Sequence, residues 1–173
     1  MDFDPRRFAD IVDRHQAMVF SIGYNFFRDR ALAEDLAQEV FFDLFRHLGS
    51  IESDAHLTNW LRQAMTRRSI DQARWRKLHR RESIEAGAEP AASPMTPDPL
   101  LGAALRKRLA ALPDRNRMVL VLRFQEDLEL EEIAQVLEMP VNTVKSTLHR
   151  ALAVLRRRLA PLVVRETYGT ARR

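Results

Sequence analysis

The chain has 173 residues, 46% of them apolar and only 8% aromatic, with five glycines, no cysteine and a formal net charge of +4. These values suit one or two small helix-rich domains and exclude disulfides and thiolate metal sites. The opening MDFDPRRFAD is too charged for a secretion signal, and no run approaches the roughly 18 apolar residues of a membrane span, so a cytoplasmic protein with no membrane insertion is expected.

The charge is unevenly spread. Residues 1–81 hold 14 Lys/Arg against 12 Asp/Glu, residues 82–99 hold four acids and no base, and residues 100–173 hold 14 bases against 8 acids. Two basic bodies joined by an acidic connector suggest a polyanionic partner.

From the N-terminus, Phe8 to Phe27 repeats apolar residues at helical spacing (Phe8, Ile11, Val12, Val19, Ile22). A second helix is expected to open near Asp29, with Leu32, Leu36, Val40 and Leu44 on one apolar line. Beside that line run Asp35, Glu39 and Asp43, also at i+4. This acidic stripe either covers a solvent face or meets an Arg-rich partner. GSIESDAH breaks the pattern, and a longer helix is expected from about Leu57 to Arg81.

That helix carries Arg62, Arg67, Arg68, Arg74, Arg76, Lys77, Arg80 and Arg81, with Trp60 and Trp75 interleaved. So dense a set of cations favours phosphate contact, and aromatic faces can stack bases. Trp60, among Leu57, Leu61 and Ala64, reads as a core anchor. Trp75 fits either a core or a base platform.

Four of the eight prolines fall in ESIEAGAEPAASPMTPDPL, which reads as an extended linker over 82–99 between domains at 1–81 and 100–173. Beyond it, LLGAALRKRLAAL is amphipathic, and Pro113 with Asp114 restarts a helix through DRNRMVLVLRF. Within that helix, VLVLRF could pass for a strand, but its helical neighbours and the lack of hairpin turns argue against one. The expected fold class is all-α, two small helical domains on a Pro-rich linker.

In EEIAQVLEMPVNTVKSTLHRAL, Leu130, Ile133, Ala134 and Leu137 form one buried face. Pro140 stops that helix. A second is expected to start around Asn142, with Asn142 or Thr143 as N-cap. Val144, Leu148, Leu152 and Leu155 face inward, while Lys145, Ser146, His149 and Arg150 face out. Paired short helices, a tight turn and an early basic face match helix-turn-helix geometry, in which Arg150 and Lys145 can reach guanine O6/N7 or phosphate. The run Arg156 to Arg158 reads as a solvated helix end.

These residues resemble a known family. AALPDRNRMVLVLRF with LELEEIAQVLEMPVNTVKSTLHRALAVLRRRL is similar to region 4 of extracytoplasmic-function (ECF) group sigma factors. ALAEDLAQEVFFDLF and NWLRQAMTRRSIDQARWRK resemble region 2. The resemblance covers nearly the whole chain, with both domains in family order.

It implies a transcription initiation factor for core RNA polymerase. The segment Glu34–Phe45, with Glu34, Asp35, Gln38, Glu39, Phe42 and Asp43, would dock on a coiled coil of the largest subunit. The second domain would sit on the flap of the second-largest subunit and read the promoter −35 element through Asn142, Thr143, Lys145, Ser146, Thr147, His149 and Arg150. The −10 element would meet Ser50, Asn59, Arg62, Gln63, Arg67, Arg68, Arg74, Trp75, Arg76 and Lys77, with one base flipped into a pocket near the loop 50–56. The acidic linker would thread basic nucleic-acid channels of polymerase. An anti-sigma factor is the further partner implied.

The chain departs from the family pattern at four places: Arg67 replaces the usual Asn, Glu138 the turn Gly, Glu129 the helix-cap Ser, and Thr147 an Arg. Glu138 need not disrupt the turn if it stays out of the left-handed conformation. Thr147 removes one expected DNA contact.

No cofactor or catalysis is expected. His47, Glu52, Asp54 and His56 lack metal-ligand spacing, and no phosphate-binding Gly loop or nucleophile elbow occurs. The competing reading is a stand-alone helix-turn-helix regulator that binds operator DNA without polymerase, which would need a dimer surface or effector domain.

Overall fold

The structure, a computed structural model, describes residues 5–82 and 107–169, with side-chain surroundings for 6–79 and 107–159. Residues 83–99 of the proposed linker and the Arg80 and Arg81 side chains lie outside the described residues, and Glu82, expected to open the linker, is the last residue of the third long helix. Among them, every regular element is helical: α1 (Pro5–Phe27), α2 (Arg30–His47), a 3-10 turn (Leu48–Ser50), α3 (Asp54–Glu82), α4 (Asp114–Phe124), α5 (Leu130–Leu137) and α6 (Val141–Gly169). Residues 107–110 are also helical.

Local chemistry explains the boundaries. Asp29, at φ −124°, accepts the Leu32 N–H at 3.1 Å and caps α2 where the sequence places it. Its other carboxylate oxygen receives Arg76 of α3 at 3.2 Å. Helix α3 starts three residues before the expected Leu57, because Ser53 Oγ accepts the His56 N–H and its carbonyl accepts that of Leu57. The VLVLRF run is helical, as its neighbours required.

The expected cap of α6 is corrected. The helix begins at Val141, and the Pro140 carbonyl accepts from Thr143 and Val144, so neither Asn142 nor Thr143 is the cap. Proline has no N–H to leave unsatisfied, and its fixed φ suits the entry to a helix.

Glu138 is a second correction. It takes the left-handed conformation (φ 51°, ψ 50°), the position that glycine usually fills at a helix C-terminus. Met139 N–H bonds to Ala134 O and Glu138 N–H to Gln135 O, the two bonds of a Schellman motif. The turn therefore forms despite the side chain.

Helices α1 to α3 pack around Ile22, Val40, Leu44, Leu57, Leu61 and Met65, all buried. At Gly23 a Cβ would lie 2.1 Å from Met65 Cε, so the absent side chain leaves room for the end of the Met65 side chain against α1. The two halves are not separate cores. One apolar cluster runs from α1–α3 through Met118, Val119, Val121 and Leu122 of α4 to Ile133, Val136 and Val144. A smaller cluster joins Leu112, Leu120 and Ala151, with Leu148, Leu152 and Leu155 packed on it. Residues Met118 to Leu122 of α4 are consequently buried without interruption, which a helix tolerates only when it is covered on several sides.

Candidate nucleic-acid and polymerase interfaces

Within α6 the outward array is in place. Lys145, Ser146, His149 and Arg150 are exposed, with Asn142 and Thr143 on the first turn, while Val144 and Ala151 are fully buried beneath. Arg150 lies back along its own helix, donating to the Ser146 carbonyl at 3.2 Å and to Ser146 Oγ at 3.3 Å. Those are weak, solvent-facing bonds that a base edge or phosphate can replace. Thr147 does not belong to this array. It is 6% exposed and packs inward, because the 3.6-residue period turns it toward the core beside Val144 and Ala151.

Helix α3 divides its cations among several neighbours. Arg68 faces α2, where Glu39 and Asp43 both hold it, so it is committed to the N-terminal bundle rather than free for nucleic acid. Equally, Glu39 and Asp43 are not an unpaired stripe, since Arg68 draws them together. Arg74 is exposed beside Asp71, and Trp75, 53% exposed, stacks on His79 at 4.1 Å. Ser50 is exposed, its hydroxyl donating to the His47 carbonyl at 2.7 Å. Asn59 is half-buried. Trp60 is half-buried against the core, with its ring beside His47.

Other polar side chains of α3 reach the C-terminal half, while Arg76 pairs with Asp29, the N-cap of α2. Gln63 donates to the Gln135 carbonyl at 2.9 Å, Arg67 pairs with the Glu138 carboxylate, and Lys77 donates to both Asp114 oxygens at 2.8 Å. Arg62 is half-buried, with Nε left without a hydrogen-bond partner. Ser21 of α1 donates to Glu126 at 2.7 Å. Burial pushes the Glu126 carboxyl above its ordinary value, opposed by that hydrogen bond and by the Arg62 charge. Arg117 stacks 4.0 Å over Phe26, and burial lowers its guanidinium from the ordinary value, opposed by Asp114.

On α2, Glu34, Asp35 and Gln38 are exposed, with Glu34 paired to Arg30 at 2.8 Å. Phe42 is 57% exposed, with Arg46 4.3 Å over its ring. Between α1 and α2 opens a groove of about 820 Å³ lined by Phe8, Val12, Phe20, Phe41, Phe42 and Phe45. The groove adds Phe8 and the ring of Phe45, the last residue of the docking segment, to Phe42. The signal was the FFDLF spacing, which puts more aromatics on α2 than one apolar line accommodates. Glu126 and Gln135 join the site too, and no local pattern marks them because their partners are far away in sequence. Among the described residues no group of acids and histidines is arranged to hold a metal, and no helix is long and apolar enough to cross a membrane.

The family model for Sigma-70 region 2 matches residues 11–81, and that for Sigma-70 region 4 matches residues 102–155. The chain is 29% identical over 172 residues to the ECF RNA polymerase sigma factor SigW of Bacillus subtilis, covering 92% of each. It is 30% identical over 175 residues to the RNA polymerase sigma-H factor of Pseudomonas aeruginosa, covering 92% of this chain and 90% of that one. In fold it resembles the sigma factor RpoE of Bartonella quintana, solved with the anti-sigma factor NepR, with a TM-score of 0.73 at 21% identity over 90% of this chain and 98% of that one. It also resembles CnrH, solved with the cytosolic domain of CnrY, with a TM-score of 0.68 at 23% identity over 91% and 90% of the two chains.

Proposed function

The chain belongs to the sigma-70 family, in its extracytoplasmic-function group, and on that premise we propose how its surfaces share the work of transcription initiation. As an alternative sigma factor it binds core RNA polymerase and directs it to particular promoters. The residue assignments that follow are our own.

The −35 element is read by Lys145, Ser146, His149 and Arg150, with Asn142 and Thr143 at the edge. The observation that carries this is the exposure of that array over a buried Val144 and Ala151, which offers a major groove hydrogen-bonding groups on a rigid support. The −10 strand is met by α3, with Asn59, Arg62, Gln63 and Arg67 on one stretch and Arg74, Trp75, Arg76 and Lys77 on the next. An exposed Trp among cations suits a base that has left the duplex. Helix α2 meets the polymerase largest subunit through Glu34, Asp35, Gln38 and Phe42, and the second half meets the flap. The division into 1–81, 82–99 and 100–173 is kept as the functional one.

Two relatives of this fold were solved with an anti-sigma factor or a cytosolic partner domain, and an anti-sigma factor is the regulator we assign here too. The protein acts in the cytoplasm and carries out no catalytic step of its own. Run-off transcription from a promoter library, with core polymerase and with or without this chain, tests the reading. Promoter-specific transcripts only in its presence are expected. Tight binding of the free chain to duplex DNA without any transcript would instead favour an operator-binding regulator.

A further inference from the structure

Three of the side chains assigned to the −10 strand, Gln63, Arg67 and Lys77, are in this structure already occupied by the C-terminal half, while Arg74 and Trp75 stay exposed. Gln63 and Arg67 lie one turn apart on one face of α3, and both are engaged by the end of α5, through the Gln135 carbonyl and the Glu138 carboxylate. Further along the same helix, Lys77 is held by Asp114 at the start of α4. In each case a cation or amide of α3 meets an oxygen acceptor, and two of the three are carboxylates, the protein group nearest in charge to a phosphate.

Glu138 is the unusual member. Its position in the Schellman turn calls for left-handed backbone, which glycine adopts without strain and glutamate does not. Strain of this kind persists where the surroundings over-determine it. Here it delivers a carboxylate to Arg67. Both residues depart from the family pattern, and they depart toward opposite charges that meet.

We propose that the helix-turn-helix half is a built-in cover for the −10-reading face of α3, with Glu138 as a catch on Arg67, so that closure of the two halves and capture of the −10 strand exclude each other. This rests on the assignment of that face to the −10 strand. The recognition array of α6 stays exposed in the closed form, so the cover restricts one promoter element and leaves the other accessible. The apolar cluster shared by the halves holds them together. The catch is an exposed pair, at 56% and 61% side-chain exposure, and shifts the balance by a small factor.

The absence of cysteine makes the test direct. Dyes on Ala31→Cys in α2 and Ala153→Cys in α6, both exposed sites, report the distance between halves in the full chain. Arg67→Glu and Glu138→Arg, each setting like charges face to face, are expected to lengthen that distance, and the double swap to restore it. A non-template −10 oligonucleotide from a promoter recovered by run-off transcription is the second probe. Glu138→Gln, which adds no cation, is expected to bind it on the order of threefold more tightly than the parent chain, with an unchanged helical signal. If neither single swap changes the distance, the catch is wrong. If the distance responds but no variant binds the oligonucleotide, the −10 assignment of α3 is wrong and the exclusion falls with it.

Discussion

Ser21 donates a 2.7 Å hydrogen bond to Glu126, tying α1 to the turn between α4 and α5. Burial raises the Glu126 carboxyl, with the Ser21 bond and the Arg62 charge of α3 opposing. In the packed form the proton is therefore held to higher pH than in the unfolded chain. As pH rises past the ordinary carboxylate value, the unfolded chain releases its proton first, and packed-state stability falls until the raised value is passed. Denaturant melts of Glu126→Gln should show a stability gain at neutral pH and a flatter profile between mildly acidic and neutral conditions. The amide keeps an acceptor for Ser21 and buries no charge. A profile as steep as that of the parent chain would place the pH dependence elsewhere.

Thr147 stands where the family carries arginine, yet it is buried. Thr147→Arg should not add a −35 contact. It should destabilise the chain by about 2 kcal/mol or more, because a guanidinium would enter an apolar seam. Thr147→Val should leave duplex binding unchanged. Thermal melts alongside −35 duplex titrations check both.

Lys145 and Arg150 bear on the outer face alone. Arg150→Ala should weaken −35 duplex binding by about 1–3 kcal/mol if it bonds a guanine, with relaxed preference at one base. Lys145→Ala should weaken binding across all sequences and lower the salt dependence if it bonds phosphate. Neither should shift the melting temperature, since both side chains are exposed. Binding titrations at several salt concentrations separate the two roles.

At position 138 two effects oppose each other. Glu138→Gly removes left-handed strain of about 1–2 kcal/mol, and against that stand the loss of an exposed pair and the backbone freedom of glycine. The expected net is a gain of roughly 0.5 kcal/mol in denaturant melts, together with weaker closure by the dye distance. A variant that melts higher and opens more easily would separate turn strain from the catch.

Much of the fold was legible because helical period and capping chemistry are local. Asp29 and Pro113–Asp114 mark their helix starts, and the apolar line of α2 is buried as its spacing implies, whereas on α5 Ile133 and Ala134 are buried together with Val136, and Leu130 and Leu137 only partly. The start of α6 was misread because Asn and Thr are strong caps and Pro140 reads first as a stop. Thr147 was misassigned because a family position was carried over to a helix whose own period turns that residue inward. The meeting of halves was not legible at all. Periodicity says which residues need cover and not which helix covers them, and Arg67 and Glu138 each look solvated until the fold brings them together. Their opposite charges at two atypical positions were the one available hint.

Helix α4 carries a consequence of its own. Met118, Val119, Val121 and Leu122 belong to the large apolar cluster while Leu120 belongs to the small one, so a single turn and a half of helix is common property of both halves. A cavity cut at Leu122 loosens the −10 and −35 sides alike. The chain has two reading heads for DNA, but heat or denaturant meets one cooperative object.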